Sequence, residues 1–217
     1  MQKQNLTAGK RKLFVATFSL FLMIMGKAQD IVKVQNGATI TIQNGAELVI
    51  QGGINFDNGS TLVNNGVIQL RQNGVSGAAN WTDNTSTAYN YGTGKVVFNG
   101  TGGHTISTKN IFERIDVDAT GHITLASDVQ ANKWYLAAGR INTTPAFNAI
   151  ASGTSQLAVE AAPANANFSN SWFNGNLRRY ITTAAVNLYT FPVGDAVKVN
   201  RAIIDNLSAN PLNNLTY

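Results

Sequence analysis

Hydrophobic and polar residues alternate along the chain between positions 38 and 71, and glycines interrupt the alternation at nearly constant intervals. These glycines stand at positions 37, 45, 52, 59, 66 and 74. Alternation with a period of two is typical of β-strands, so the pattern predicts short strands separated by glycine turns. The positions predicted to share the inner faces of these strands are Ala38, Ile40, Ile42, Ala46, Leu48, Ile50, Ile54, Phe56, Ser60, Leu62, Ile68 and Leu70.

Two consecutive blocks of the chain, Asn44–Asp57 and Asn58–Arg71, resemble each other and align without a gap. Such a repeat favours a β-solenoid, because each coil stacks on the previous one and like residues then lie over like. Three short sides would give a coil of about 21–22 residues, and two sides would give about 14. The pattern leaves both possibilities open.

The repeat is compatible with two all-β folds. One is a β-solenoid, similar to a parallel β-helix, and the other is a β-sandwich in which Asn-Gly pairs form hairpin turns. The constant step favours the solenoid, because hairpins do not require successive strands to resemble each other. In a solenoid, the aligned blocks predict Leu48 over Leu62 and Ile54 over Ile68.

The pattern also predicts how the chain is divided. Residues 1–28 form a leader, and residues 29–160 form a solenoid-like repeat domain with a polar loop insertion at 73–94. Residues 161–217 form a second β section that ends in what resembles the start of another strand. This ending indicates a fragment of a longer protein, with a natural chain end as the alternative.

The leader has the features of a secretory signal peptide. A basic segment precedes the apolar run Leu13–Met25, which is shorter than the roughly 20 residues that span a membrane. Gly26 and Ala28 are the small residues expected before a cleavage site. We therefore expect cleavage after Ala28, an extracellular or cell-surface location and no membrane span in the mature chain; a membrane anchor is the alternative.

Charge and composition exclude several classes of function. Of the 16 basic residues, those at positions 3, 10, 11, 12 and 27 lie in the leader, whereas all 11 acidic residues follow it. The mature chain is therefore formally neutral, and no clustered basic face for nucleic acid is predicted. The absence of cysteine excludes disulfides, Cys-ligated metals and a lipid-anchored lipoprotein.

Short motifs in the second half of the chain resemble a pattern found in large secreted surface proteins of Bacteroidetes. They are VVFNGTGGHTIS, then IFERIDVDATGHITLASDVQANKWYLAAGRINT, and finally FNGNLRRYI followed by LYTFPVGD. The resemblance implies a surface-exposed or released protein, exported in many cases by the type IX secretion system. Proteins of this kind are mostly adhesive or structural, and the resemblance supplies no catalytic residues.

Two carboxylates on one predicted strand are the first candidate site. Asp116 and Asp118 alternate with Ile115 and Val117, so they share one face of that strand. Paired carboxylates can cleave a polysaccharide or bind Ca²⁺ through oxygen ligands. The alternative is that they form the solvent face of an amphipathic strand, and no other cofactor is predicted.

The aromatic residues of the polar insertion are the second candidate site. Trp81, Tyr89 and Tyr91 lie among small polar residues. Exposed aromatic rings can stack on sugars or anchor a partner protein. Alternatively, the rings are tucked beneath the insertion and hold it in place.

The remaining candidates are basic. Arg178 and Arg179 are adjacent and point to opposite faces of a strand, so one of them can pair with Asp195 or with a sugar or carboxylate ligand. His104 and His122 each follow a glycine. Because a zinc site would lack further ligands here, we expect these histidines to be polar residues beside turns and predict no metal site.

No catalytic motif is present in the sequence, neither a Gly-rich phosphate loop nor a Gly-x-Ser-x-Gly or His-Glu-x-x-His pattern. The sequence therefore predicts a non-enzymatic, secreted or cell-surface β-repeat module with a structural or adhesive role. Its expected partners are glycans or other surface proteins. The alternative is a polysaccharide-active β-helix enzyme or the carbohydrate-binding part of one.

Overall fold

The computed structural model describes residues 31–73, 79–182 and 188–204, together with the backbone of residues 215–216. These residues form twenty short β-strands and two 3₁₀ segments, at Gln156–Ala158 and Pro163–Phe168. The strands are β1 (Ile31–Val34), β2 (Thr39–Ile42), β3 (Glu47–Gln51), β4 (Gly53–Phe56), β5 (Thr61–Asn64), β6 (Val67–Gln72), β7 (Trp81–Asp83), β8 (Lys95–Gly100), β9 (His104–Ser107), β10 (Ile111–Ala119), β11 (Ile123–Leu125), β12 (Val129–Ala138), β13 (Ile141–Asn142), β14 (Ala149–Ala151), β15 (Val159–Ala161), β16 (Phe173–Asn174), β17 (Leu177–Arg179), β18 (Tyr189–Gly194), β19 (Val199–Ile204) and β20 (Leu215–Thr216).

The first coils of the fold have three sides. β1 pairs in parallel with β4, β2 with β5, and β3 with β6. The register advances by 22 residues from Ile31 to Gly53 and by 20 residues from Glu47 to Val67. Parallel pairing between successive coils confirms the solenoid and excludes the β-sandwich, which is built from antiparallel strands.

All three sides continue through the middle of the fold. β1, β4, β7, β9, β11, β13, β16 and β18 form the first side. The second side begins with β2 and β5. It continues, through an isolated bridge between Asn90 and Ile111, with the first halves of β10 and β12. Its last strands are β14 and β17. The third side contains β3, β6, β8, the second halves of β10 and β12, and β15.

β10 and β12 each turn the corner between the second and third sides without a break. In β10, the buried residues Phe112 and Ile115 lie three positions apart instead of two, and Ala131 and Trp134 do the same in β12. A flat strand would place only every second residue inside. The extra residue in each strand therefore marks the bend at the corner.

Ladders of inward-facing side chains form the core. The predicted inner positions from Ile40 to Leu70 are buried or half-buried, except Ala46. Ala38 and Ala46 immediately precede β2 and β3 and are exposed, so the prediction is wrong at these two positions. On the third side, one ladder runs through six strands, with each residue over its equivalent in the next coil. Its members are Leu48, Ile68, Val96, Ile115, Trp134 and Val159.

The predicted ladder partners are wrong. Leu48 lies over Ile68 on the third side, and Leu62 lies over Ile40 on the second side. Ile54 pairs with Val32 on the first side. Fourteen residues span two of the three sides, so the two aligned blocks place their equivalent residues on different sides of the coil.

Reversed strands cover the end of the solenoid that carries β17 and β18. β19 pairs antiparallel with β18, and β20 pairs antiparallel with β17. No break in the sheets falls at the division predicted after residue 160, because β16 continues the first side from β13 and β17 continues the second side from β14. The described part of the second β section therefore extends the same sheets.

Glycines at the corners let successive coils approach closely. Gly139 has a φ of +80°, and a Cβ atom at this position would lie 1.8 Å from the carbonyl oxygen of Ala119 in the preceding coil. Gly37 has a similar φ of +78°, but a Cβ atom added there would have no other atom within 4 Å. The two glycines share a backbone conformation and differ in the space around them.

We expect the Gly139→Ala variant to be much less stable than the Gly37→Ala variant. Each substitution imposes a left-handed backbone on alanine, at a cost of about 1–2 kcal/mol. Only Gly139→Ala adds a backbone clash, which costs about 1–3 kcal/mol more. Urea unfolding of both variants measures the difference, and equal losses of stability would show that the coils do not meet closely at Gly139.

Candidate functional site

The predicted polar loop at 73–94 contains a strand of the solenoid. Within its described part, Trp81 lies on β7 and occupies the core ladder between Ile54 and Ile106. The Trp81 ring is fully buried and packs against Phe56 and Phe112, with ring centroids 5.4 and 5.1 Å apart. Of the two alternatives for the Trp81 ring, exposed or tucked beneath the insertion, the structure has the buried one, because the ladder position carries the ring inside.

The two tyrosines of the insertion accept backbone hydrogen bonds from β5 on the second side. Tyr91 is buried, and its carbonyl accepts a hydrogen bond of 2.5 Å from the backbone N–H of Asn64. Tyr89 is half-buried, and its hydroxyl accepts a hydrogen bond from the backbone N–H of Leu62, at 3.1 Å. The Tyr89 hydroxyl thus takes the place of a backbone carbonyl where the insertion interrupts the strand pairing.

A buried carboxylate that the sequence pattern did not reveal organises this region. Asp83 lies next to Phe56 in the inward ladder of the first side and is 7% exposed. Its Oδ2 accepts hydrogen bonds from the Tyr91 hydroxyl at 2.5 Å and from the Asn110 amide at 2.6 Å. Its Oδ1 accepts the backbone N–H of Thr85. Neutral donors alone therefore satisfy this acid among the described residues.

The Tyr91 hydroxyl is the centre of this network. It accepts a hydrogen bond from the Trp81 indole N–H at 3.0 Å and lies 2.8 Å from the Thr108 hydroxyl. Burial and the negative charge of Asp83 raise the pKa of Tyr91 well above its ordinary value. The hydroxyl therefore stays protonated and donates to Asp83. In this arrangement the aromatic rings of the insertion hold the loop in place.

The predicted pair Asp116 and Asp118 lies on the outer surface of the third side. Asp116 is held by two cations: the Lys95 ammonium is 3.1 Å from Oδ2, and Arg114 Nε is 2.5 Å from Oδ1. The Arg114 guanidinium also lies 4.6 Å from the centre of the Tyr135 ring. These two cations thus compensate the negative charge of Asp116, whereas the Asp118 side chain is exposed.

A shallow depression of about 390 Å³ lies on this surface, which we call the third-side face. Its lining combines both signs of charge with amide, aromatic and aliphatic groups from five strands, β3, β6, β8, β10 and β12. The register places Lys95 beside Arg114, and Gln69 in line with Asp116 through Val97. Residues that line the depression include Glu47, Gln69, Lys95, Asp116, Asp118 and Tyr135.

The adjacent arginines point to opposite faces, as predicted, but Asp195 is not the partner of Arg179. The Arg179 guanidinium is fully buried and donates to the carbonyls of Thr190, Ser155 and Gln156. Burial lowers its pKa to about 10. Arg179 therefore ties β17 to β18 and to the 3₁₀ segment.

Arg178 lies on the outer surface of the second side, in register with Ile150. Its guanidinium lies 5.6 Å from the centre of the Tyr180 ring. The carboxylate of Asp195 accepts the backbone N–H groups of Val197 and Lys198 and so closes the turn between β18 and β19. The structure therefore places Arg178 on a different side of the coil from the third-side face.

The two histidines lie in neighbouring coils but have different surroundings. His104 is buried, and each of its ring nitrogens lies 3.0 Å from a carbonyl oxygen, one of Ala79 and one of Asn99. Nδ1 of His122 accepts the backbone N–H of Arg140 at 3.1 Å, and its Nε2 lies 2.9 Å from the Arg140 guanidinium. Neither arrangement resembles a metal site.

The described ranges hold neither a cluster of metal ligands nor a helix suited to a membrane. No group of three or more His, Cys, Asp or Glu side chains there is placed to hold a metal ion. Ca²⁺ at Asp116 is further disfavoured by the two cations that already contact this carboxylate. Of the helical segments within those ranges, none has the length and hydrophobicity required to cross a membrane.

Tyr91→Phe should destabilise the protein by about 1–3 kcal/mol, because it removes the donor to Asp83 and the acceptor for Trp81 in a buried network. Tyr180→Phe is the matched control, since the Tyr180 hydroxyl has no hydrogen bond to a described residue. Chemical denaturation of both variants gives the comparison. Equal stability of the two variants would show that the network contributes nothing to the fold.

The unfolding free energy should decrease as the pH falls below the ordinary histidine pKa of 6.5. Burial lowers the pKa of His104, and burial together with the charge of Arg140 lowers the pKa of His122. Protons therefore bind more readily to the unfolded chain, so the stability present above this pH is lost on acidification. Denaturation between pH 7.5 and 5 measures the effect.

His122→Asn is the control variant for this pH dependence. Asparagine tolerates the left-handed backbone of His122, which has a φ of 72°, and it does not titrate. The variant should lose part of the decrease in stability, while the contribution of His104 remains. An unchanged pH profile in the variant would exclude His122 as one of its sources.

Comparisons with protein-family models, with curated proteins and with solved structures found no match to the chain. Its function is therefore inferred from the residues of the chain itself.

Proposed function

We propose that the protein is a non-enzymatic β-solenoid module of the cell surface or the secreted fraction, with a structural or adhesive role. The observation that carries this proposal is the state of Asp116, whose two oxygens are both engaged by Lys95 and Arg114. A carboxylate whose two oxygens both contact cations presents no free oxygen to a substrate. It serves instead to fix the positions of neighbouring polar groups.

The third-side face is suited to contact an extended partner. The strands beneath it pair in parallel, so the side chains of five coils repeat at about 4.8 Å along the solenoid axis. Arg114 is fixed by Asp116 on one side and Tyr135 on the other. A surface whose side chains are already ordered loses less conformational entropy on binding. Glycans and other surface proteins are the partners we propose.

One observation favours a polysaccharide-active enzyme as the second candidate. Asp116 and Asp118 line the same depression with Lys95 nearby, and pairs of carboxylates perform glycoside hydrolysis. Of these two acids, only Asp118 has a carboxylate that no described cation contacts within ion-pair distance. An enzyme would therefore need to release Asp116 from Lys95 and Arg114 during its reaction.

Binding of the purified protein to an array of immobilised polysaccharides tests the adhesive function. We expect saturable binding to at least one polysaccharide and no formation of new reducing ends. Asp118→Asn should weaken this binding, because it removes the exposed charge of the third-side face. Asp57→Asn is the matched control, since Asp57 lies outside this face and forms only a surface ion pair with Lys33.

Three results would contradict the proposal in different ways. Absence of binding to all polysaccharides and to surface proteins would remove the adhesive role. Equal binding by the Asp118→Asn and Asp57→Asn variants would exclude the third-side face as the contact surface. Release of reducing ends that disappears in Asp118→Asn would instead establish the enzyme.

A further inference from the structure

The corner between the first and second sides changes from apolar to polar along the solenoid. In the first two coils, the last inward position of the first side is occupied by Val34 and Phe56. In the next coil the equivalent position is Asp83. Thr108 and Ser127 follow it, joined by a hydrogen bond of 2.9 Å from the Thr108 N–H to the Ser127 hydroxyl. Along this corner, hydrogen-bonding side chains therefore replace the apolar side chains of the first two coils.

A cavity of about 450 Å³ opens at this corner, which we call the corner cleft. Every residue that lines it is polar or charged, in contrast to the mixed lining of the third-side face. The lining comes from four successive coils, represented by Asn58, Asn84, Ser107 and Ser127. With coils about 4.8 Å apart, the cleft extends about 15 Å along the solenoid axis.

The floor of the corner cleft is rigid because its polar groups bond to each other. Asp83, Thr85 and Thr108 are 7%, 7% and 2% exposed. The Asn110 amide links two of them, donating to Asp83 at 2.6 Å and to the Thr85 hydroxyl at 2.9 Å. Tyr91 joins Asp83 to Thr108 from the core side. The floor therefore holds its shape without a ligand.

The rim of the cleft carries groups that remain available. Among the described residues, the hydroxyls of Ser86 and Ser107 and the ammonium of Lys109 have no hydrogen-bond or ion-pair partner. The Asn84 amide makes one hydrogen bond, of 3.1 Å, to Asn55. The rim thus offers both hydrogen-bond donors and hydrogen-bond acceptors.

The chemistry of the cleft excludes most classes of ligand. An apolar ligand or a protein anchor residue would find no apolar wall. A divalent cation would meet a single carboxylate, Asp83, whose oxygens already accept three hydrogen bonds. A phosphate or another polyanion would meet one lysine beside that negative charge.

Sugar hydroxyl groups match the polar, mostly uncharged lining of the cleft. A hydroxyl both donates and accepts a hydrogen bond, and the cleft offers serine hydroxyls, asparagine amides and an ammonium donor. The length of the cleft matches a few consecutive sugar rings of an extended chain. Repetition of polar groups once per coil suits a ligand that itself repeats.

We infer that the corner cleft binds a linear, neutral polysaccharide that lies along the solenoid axis across four coils. This inference rests on the proposed adhesive function and gives it a ligand class and a second contact surface. Asn84, Ser107 and Lys109 donate to ring and hydroxyl oxygens of the chain. Asp83 and its network hold these groups at the spacing of the coils.

Calorimetric titration with neutral hexasaccharides of β-1,4-linked glucose, xylose and mannose tests the inference. Glucose and a hexamer of galacturonic acid serve as short and charged probes. We expect at least one neutral hexasaccharide to bind. The double variant Asn84→Ala/Lys109→Ala should weaken that binding by about tenfold or more, because it removes two hydrogen-bonding groups.

The matched control is Lys198→Ala/Asn200→Ala, which removes the same two residue types from exposed positions near the β18–β19 turn. Both double variants should keep the thermal unfolding midpoint of the unchanged protein, since all four residues are exposed. Only the variant in the cleft should bind the hexasaccharide less tightly.

Several outcomes would overturn the inference: no binding of any neutral hexasaccharide, tighter binding of the galacturonic acid hexamer, equal binding of glucose, or unchanged affinity in Asn84→Ala/Lys109→Ala. Failure here is distinguishable from failure of the proposed function. Polysaccharide binding that depends on Asp118 and not on Asn84 and Lys109 leaves the adhesive function in place and excludes the cleft. Binding that depends only on the cleft supports the inference and excludes the third-side face.

Discussion

Backbone pairing between successive parallel coils is the constraint on which the rest of this structure depends. Each strand donates hydrogen bonds to the coils on both sides of it and accepts hydrogen bonds from both, so every coil fixes the position of the next. Inward side chains must then stack on their equivalents at about 4.8 Å, and only similar or complementary side chains do so without gaps. The aliphatic ladder from Leu48 to Val159 satisfies this requirement across the third side.

Where this pairing is interrupted, backbone groups lose their hydrogen-bond partners, and side chains take the place of those partners. Where the insertion between β7 and β8 lengthens the coil, the Tyr89 hydroxyl accepts the N–H of Leu62 that a backbone carbonyl would otherwise accept. Tyr91 and Asp83 satisfy each other inside the core. At the covered end of the solenoid, the buried guanidinium of Arg179 donates to the backbone carbonyls of Thr190, Ser155 and Gln156 and so links neighbouring segments. Buried polar groups thus occur where the ladder cannot continue, which agrees with the general cost of leaving such groups unpaired.

The alternation of residues predicted the inner and outer faces of strands β2 to β6, because a period of two does not depend on which strand pairs with which. The ladder partners could not be predicted in the same way. All sides of one coil have the same sequence pattern, with aliphatic residues inside and glycine at the corner. Leu48 and Leu62 therefore occupy similar positions in this pattern although they lie on different sides. Later coils vary in length, from 18 residues between Ile123 and Ile141 to 32 between Ile141 and Phe173, and no fixed step reveals their register. The candidate sites were predictable to different degrees for the same reason: Asp116 and Asp118 share a strand, whereas the partners of Asp83 come from separate coils.

A solenoid separates its core from its surface more completely than most folds, because inward and outward residues alternate on every strand. Outward substitutions on the third side leave the ladder beneath them unchanged, and the same holds for the rim of the corner cleft. The two surfaces share no residue, and effects at sites without shared partners are nearly additive. Each surface can therefore acquire or lose a ligand independently of the other while the coil that supports both remains the same.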